Sequence, residues 1–350
     1  MRLRVELNKQ SGFSLIELMI ALAVTLVVLA SVFSMMGSAV KSSQTTYELA
    51  DAQQGLRIAQ AYINRDLLNA GDGLRVTNNI RLPVVFVQTW LTTNLVNPSG
   101  GYVNLTVINS DNNVPGTTVV AGTNPAVNVL DGTDRITILE RDPGFLPVGL
   151  PPNSITPSGS NVSITPPDVT RFNIGEIYFI TSSVGSTFGT ITNITGANGN
   201  SPNLIFAASD PYSLNQPGAG GPINVVSGGG TLPTSLMRMQ LIHYFINANK
   251  LLIKRVLGVG GGAGFTDSVI AEHVTALQFR YVLNMRDAGG RLQQPVAQIT
   301  TAPQQSAIEQ VEALVTVTTA HPVLKNAVQP ITQTTRTSIR NIQFSGALQP

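Results

Sequence analysis

Residues Leu18 to Met36 read LMIALAVTLVVLASVFSMM, a stretch without a charge that is interrupted only by Thr25, Ser31 and Ser34. As a helix rising about 1.5 Å per residue it is roughly 28 Å long, close to the hydrocarbon thickness of a bilayer. Arg2, Arg4 and Lys9 precede it against the single acid Glu6. The positive-inside bias therefore keeps the N-terminus in the cytoplasm and sends the long C-terminal part across the membrane. A conventional secretory signal is the first competing reading, because Gly37-Ser38-Ala39 supplies small residues after the apolar run. Such a signal has an apolar region of about 7 to 15 residues, and this one is longer. An ordinary signal anchor is the second, and one residue speaks against it.

Glu17 sits just inside the apolar segment, in Gly12-Phe13-Ser14-Leu15-Ile16-Glu17-Leu18. A carboxylate in a bilayer helix costs about 2.5 to 3.5 kcal/mol at mid-depth and less near an edge, so it calls for a functional partner. The stretch Lys9-Gln10-Ser11-Gly12-Phe13-Ser14-Leu15-Ile16-Glu17 closely resembles the class III leader and cleavage site of type IV pilins and type II secretion pseudopilins. The resemblance implies that a prepilin peptidase cuts between Gly12 and Phe13 and methylates the new N-terminal Phe13. It also implies that Glu17 pairs with the free amine of a neighbouring subunit's first residue during assembly. Cleavage creates the cation that a buried carboxylate requires.

Beyond the membrane, Leu49, Ala52, Leu56, Ala59, Ile63 and Leu67 recur at spacings of three and four, an amphipathic stripe. Asp51, Arg57, Arg65 and Asp66 are expected off that stripe, and Gly71-Asp72-Gly73 is a C-terminal stop. The expected organisation is a leader over residues 1–12, a transmembrane and filament-core helix over 13–36, its amphipathic continuation over 37–70, and an extracytoplasmic β-rich domain over 71–350. The expected fold class is α+β: a long N-terminal helix packed on a large antiparallel β-sheet domain, as in pilins.

From Ile80 onward Val, Ile, Thr and aromatic residues dominate, and strands are expected at Val84–Trp90, Tyr102–Ile108, Arg135–Glu140, Glu176–Thr181, Phe188–Ile194, Met239–Ile246, Leu251–Leu257, Val274–Leu283, Val311–Thr319 and Thr334–Ile342. Asn247-Ala248-Asn249-Lys250 reads as a hairpin connection. Residues 143–167 and 209–233, dense in Pro, Gly, Ser and Asn, read as long loops. In the C-terminal third, Met239 to Phe245, Lys254-Arg255, Val274 to Tyr281, Val311 to Leu314 and Ser338 to Asn341 look like the PilW minor pilins and, more distantly, the J pseudopilins of type II secretion.

Composition narrows the function classes. Charged residues are 11% of the 350, far below the roughly 25% usual for soluble proteins. The 21 basic residues nearly balance the 19 acidic ones, and once Arg2, Arg4, Lys9 and Glu6 are set aside the body is neutral. A clustered basic surface for nucleic acid is not evident. The absence of cysteine removes disulfides, thiolate metal sites and thiol nucleophiles. His243, His273 and His321 lack metal-site spacing and are expected in the core or at the surface. Gly258-Val259-Gly260-Gly261-Gly262-Ala263-Gly264 follows a strand but precedes another strand-like segment, so a flexible connection is expected where a dinucleotide fingerprint would open a helix. Asp131-Gly132-Thr133-Asp134 lacks the further carboxylates of an EF-hand and reads as a turn.

No enzymatic activity, cofactor or metal is expected. The resemblance implies a PilW-like minor pilin near the filament tip, held first in the inner membrane as a single pass with its N-terminus cytoplasmic, then in a surface filament. Its implied partners are the prepilin peptidase, other minor pilins, the major pilin and the pilus assembly platform. The alternatives are a J-type pseudopilin of a type II secretion system and a membrane-anchored extracytoplasmic binding protein that never polymerises.

Overall fold

The computed structural model describes residues 12–74, 80–93, 95, 98–120, 127–150, 154–158, 161–182, 185–196, 202–216, 223, 226, 234–260, 264–287, 289–323 and 327–339. The leader up to Ser11, most of the 209–233 segment and the end of the strand expected to reach Ile342 lie outside the described residues. A long apolar N-terminal helix followed by antiparallel sheets gives an α+β layout. The chain divides into two compact units, Met1–Asp51 with Thr319–Gln329, and Ala52–Thr318 with Pro330–Pro350.

Helix α1 (Leu15–Asn69) is 55 residues long and contains no proline. It stops where the sequence reading placed the stop: Gly71 and Gly73 adopt positive φ, 75° and 78°, which glycine reaches without a Cβ penalty. In the first unit the helix is exposed over its apolar half, and the segment Thr319–Gln329 is tied to Glu48. The Glu48 carboxylate accepts from the backbone N–H of Ala320 and His321 and meets His321 Nδ1 at 2.7 Å.

The second unit is built from short and long strands in chain order: β1 (Arg81–Pro83), β2 (Tyr102–Asn104), β3 (Ile108–Val114), β4 (Thr133–Arg141), β5 (Val148–Leu150), β6 (Ile155–Ser158) and β7 (Asn161–Ile164). There follow β8 (Ile177–Thr181), β9 (Ser186–Thr190), β10 (Asn193–Thr195), β11 (Asn203–Ala207), β12 (Thr234–Ile246), β13 (Leu252–Leu257) and β14 (Phe265–Ala271). Last come β15 (Val274–Leu283), β16 (Ile308–Thr318) and β17 (Pro330–Ser338). The 13-residue β12 organises an eight-stranded sheet in the order β14-β13-β12-β4-β3, with β5 and β8 pairing its first half and β9 pairing β8. A three-stranded sheet runs β15-β16-β17, a four-stranded one β10-β11-β7-β6, and β1 pairs with β2. Every named pairing among the described residues is antiparallel.

The outer part of α1 lies between two of these sheets. Ala52, Leu56, Ala59, Ile63 and Leu67 are buried with Ile136, Ile138 and Ile242 of the eight-stranded sheet and with Phe279, Val311 and Val315 of the three-stranded one. Asn64 and Asp66 project about 200° apart around the helix. Asn64 Oδ1 accepts from Thr335 and Thr337 of β17, whereas Asp66 bonds to Tyr244 and Lys254 of β12 and β13. Each fully buried Leu or Ile contributes about 1.5 to 3 kcal/mol, so this double packing, more than helix propensity, holds the segment in place.

Three expectations are corrected. Val84–Trp90 is helical, a short α-turn at Val84–Phe86 running into a π-helical turn at Val87–Leu91. Its buried residues Phe86, Val87, Trp90 and Leu91 recur at helical spacing and pack on Leu139, Phe179 and Leu241, so tertiary burial overrides the β propensity of the run. The expected loop 143–167 contains β5, β6 and β7, and Val162 and Ile164 are fully buried. Asp66, expected off the stripe because it is charged, is 1% exposed. It lies three residues after Ile63 and so shares the buried face.

Candidate functional site: the N-terminal segment of the long helix

Gly12, Phe13 and Glu17 lie within the first turn of α1 and the residues leading into it, all exposed. Among the described residues no atom lies within 4 Å of where a Gly12 Cβ would stand, its chain neighbours aside. Phe13 is 84% exposed. Ser14 was not singled out in the sequence, yet it caps the helix. Its Oγ accepts from the Glu17 N–H at 3.3 Å, while Glu17 Oε2 accepts from the Ser14 N–H at 3.4 Å. This reciprocal pair is a capping box, and its signature Ser-x-x-Glu was legible in Ser14-Leu15-Ile16-Glu17. The Glu17 carboxylate is therefore turned back toward the residue that cleavage after Gly12 would expose. Its charge also sits at the positive end of the helix dipole.

From Leu18 onward the helix is long and apolar enough to cross a membrane. Thr25, Ser31 and Ser38 donate to the carbonyls of Ala21, Val27 and Ser34 at 2.7, 2.9 and 3.1 Å. These three hydroxyls need no partner that lipid cannot supply.

Residues 7–33 match the family described as "Prokaryotic N-terminal methylation motif". The match spans the leader junction, Gly12, Phe13, Ser14, Glu17 and most of the apolar segment, and it supports a type IV pilin-like or pseudopilin-like protein. No curated protein and no solved structure matches the chain. The methylation motif implies processing by a prepilin peptidase and association with pilus components, and the apolar helix that follows it suggests membrane anchoring.

The remaining singled-out residues lie away from this segment. His243 is buried in β12, its Nδ1 3.4 Å from Thr137 Oγ1, and burial pushes its pKa down to about 3, with Arg135 and Arg255 adding to the shift. His273 forms part of the turn between β14 and β15 with φ of 56°. Asp131 lies in a turn, where its Oδ1 accepts from the Gly116 N–H at 2.9 Å. The glycine run begins as the β13–β14 connection, and the Gly260 N–H donates to buried Glu176 at 3.1 Å. Among the described residues no group of three or more His, Asp or Glu is placed to hold a metal ion.

What the sequence did not disclose is the ionic furniture of the domain. Arg238 bridges Asp142 and Glu176 at 2.6 and 2.8 Å, and Arg255, fully buried, pairs with Asp267 at 2.7 Å and stacks on Phe265. Asp111 is held below the usual carboxylate range by Arg135 and by hydrogen bonds from Thr92 and Thr93, which together overcome its burial. Arg255–Asp267 and Asp111–Arg135 join neighbouring strands, whereas Arg238 meets Asp142 and Glu176 from 96 and 62 residues away, a meeting that only the sheet register could reveal.

Proposed function

We propose that this chain is a minor type IV pilin of the PilW kind. It is inserted in the inner membrane with its N-terminus in the cytoplasm, cut between Gly12 and Phe13, N-methylated at Phe13 and assembled near the tip of a surface filament. The observation that carries this proposal is the methylation motif at residues 7–33, with Glu17 set at the start of a helix whose apolar half is not buried by any of the described residues. The role is structural: the chain contributes a helix to the filament core and a large domain to its surface, and no catalytic step is assigned to it. Its partners are the prepilin peptidase, the major pilin, other minor pilins and the assembly platform. The chain beyond the helix, residues 71–350, is bulky enough to favour few copies, and its low charge suits contacts made by shape and hydrogen bonds.

Mass spectrometry of the membrane-extracted chain should find an N-terminus at methylated Phe13; a chain retaining Met1 would sink the proposal. Glu17→Val should insert and be cleaved but enter filaments poorly, because the partner amine exists only after processing of a neighbour. Normal incorporation of that variant would remove the pairing role. Recovery with the components of a type II secretion system, and not with a pilus, would favour the J-type pseudopilin.

A further inference from the structure

The first compact unit joins the apolar part of α1 to a hairpin tip, Thr319–Gln329, for which the assembly role has no use. The Thr319 N–H donates to the Gln329 carbonyl at 3.0 Å and the Val323 N–H to the Ala327 carbonyl at 3.1 Å, so the two legs stay paired up to the turn. One leg is latched to the helix. The Glu48 carboxylate accepts from the N–H groups of Ala320 and His321 at 3.1 and 3.2 Å and meets His321 Nδ1 at 2.7 Å. A single exposed ion pair is worth little, but three partners on adjacent groups fix where along the helix the tip sits.

Beyond the latch the tip is apolar and open. Val328 is 45% exposed, Pro322 and Ala327 are exposed, and Val323 is half-buried. The stretch contains Lys325 and neither Asp nor Glu. Its level along the helix is defined by the same unit. No charge interrupts α1 from Leu18 to Val40, and every described residue of the helix before Thr45 is exposed. Val40 lies eight residues before Glu48, about 12 Å along the axis. The tip groups with the helix up to Asp51, and Glu48 stands near that end, so its further reach is toward Val40. The two residues from His321 to Val323 add about 7 Å, which brings the turn to within about 5 Å of the level of Val40. The headgroup layer on each side of the hydrocarbon is about 5 to 7 Å thick.

A lone exposed valine needs no explanation. Here the apolar residues stand together on a tip latched beside the exit of a membrane-long helix. We propose that the hairpin tip rests in the headgroup layer of the membrane that α1 crosses, with Pro322, Val323, Ala327 and Val328 against the lipid. This layer removes apolar side chains from water while leaving the carbonyls of a turn hydrated, which hydrocarbon would not. The lack of acids avoids repulsion by lipid phosphates, and Lys325 adds attraction. A second copy of the chain is the competing occupant, but a stable protein interface buries about 1,200 Å² or more, far beyond these few small side chains. A lipid contact needs no such area, because the inserted helix already holds the tip at the surface. The proposal rests on insertion of α1 in the membrane and not on filament assembly.

The chain has no cysteine, so one can be introduced at Leu29, within the apolar segment, or at Val328. Each full chain is spin-labelled in vesicles of phosphatidylethanolamine and phosphatidylglycerol. Relaxation by oxygen, which concentrates in the bilayer, is compared with relaxation by a water-soluble nickel chelate. The oxygen-to-nickel ratio at position 29 should lie far above that of free label in buffer. At position 328 it should lie several-fold above buffer and below position 29, and Glu48→Ala should return it to the buffer value. A buffer value at position 29 would remove the insertion of α1, and the tip contact with it. A high ratio at 29 with a buffer value at 328 overturns the tip contact alone. So does a ratio at 328 that falls as the chain is diluted into more lipid, which would assign the tip to a second copy. A ratio unchanged by Glu48→Ala would mean that the label and not the latched tip seeks the lipid, and also overturns the proposal.

Discussion

Acid should weaken the second unit through a single histidine, and the size of the effect follows from where that histidine sits. His243 occupies β12 between Thr137 on β4 and Arg255 on β13, buried, with Nε2 unpartnered among the described residues. Burial first, then the charges of Arg135 and Arg255, depress its pKa from 6.5 to about 3 in the folded chain. A depressed histidine binds fewer protons folded than unfolded, so its share of stability is present above the unfolded value and drains away as the pH falls through the window from 6.5 toward 3. At about pH 4.5, two units below the unfolded value, the loss is about 3 kcal/mol at 1.36 kcal/mol per unit. The perturbation is His243→Gln, which keeps a polar group beside Thr137 but cannot titrate. Urea unfolding of the processed chain in detergent, followed by the fluorescence of Trp90, the only tryptophan, reports the unit directly. Between about pH 7.5 and about pH 4.5 the wild type should lose about 3 kcal/mol relative to the variant. Other carboxylates titrate alike in both chains and cancel. A stability difference that stays constant across that range would refute the assignment of a neutral, desolvated imidazole.

Gly12→Asp should block processing, because it puts a branched charge at a bond that now has nothing within 4 Å of the glycine's open side; an unprocessed chain on mass analysis is the expected result. Ile63→Ala should cost about 2 to 5 kcal/mol in the same urea assay, since Ile63 is fully buried between two sheets. Gly258→Ala should cost about 1 to 3 kcal/mol: its φ is +83°, and a Cβ would lie 2.9 Å from Ile177 Cδ1. Wild-type stability in either variant would contradict the packing described.

Periodicity and charge made the helix legible. The run from Leu18 to Met36 and the stripe from Ala52 to Leu67 carry their own geometry, and the stop at Gly71 follows from glycine's access to positive φ. Long strands such as β12, β13, β15 and β16 announced themselves through β-branched residues and alternation. Val84–Leu91 did not, because the same Val and Trp residues that favour a strand are here recruited to a helical face by Leu139 and Leu241. Strands β5 to β7 were hidden among Pro and Gly. At the N-terminal site Gly12, Phe13 and Glu17 are readable as a motif, and the Ser14 cap is written in the same Ser-x-x-Glu signature. The charge of Asp66 reads as a sign of exposure, whereas Lys254, 188 residues away in sequence, meets it in the core.

The packing of α1 between two sheets has a mechanical consequence. Within the second unit, a pull on the segment Ala52–Leu67 along its own axis is not a load on one strand's hydrogen bonds. It arrives along the helix axis, at side chains from Ala52 to Leu67 that interlock with both sheets at once. Separation would have to shear all of these contacts together, with Asn64 held on one flank and Asp66 on the other. Loads that must break many short-range contacts simultaneously meet far more resistance than loads that peel them one by one.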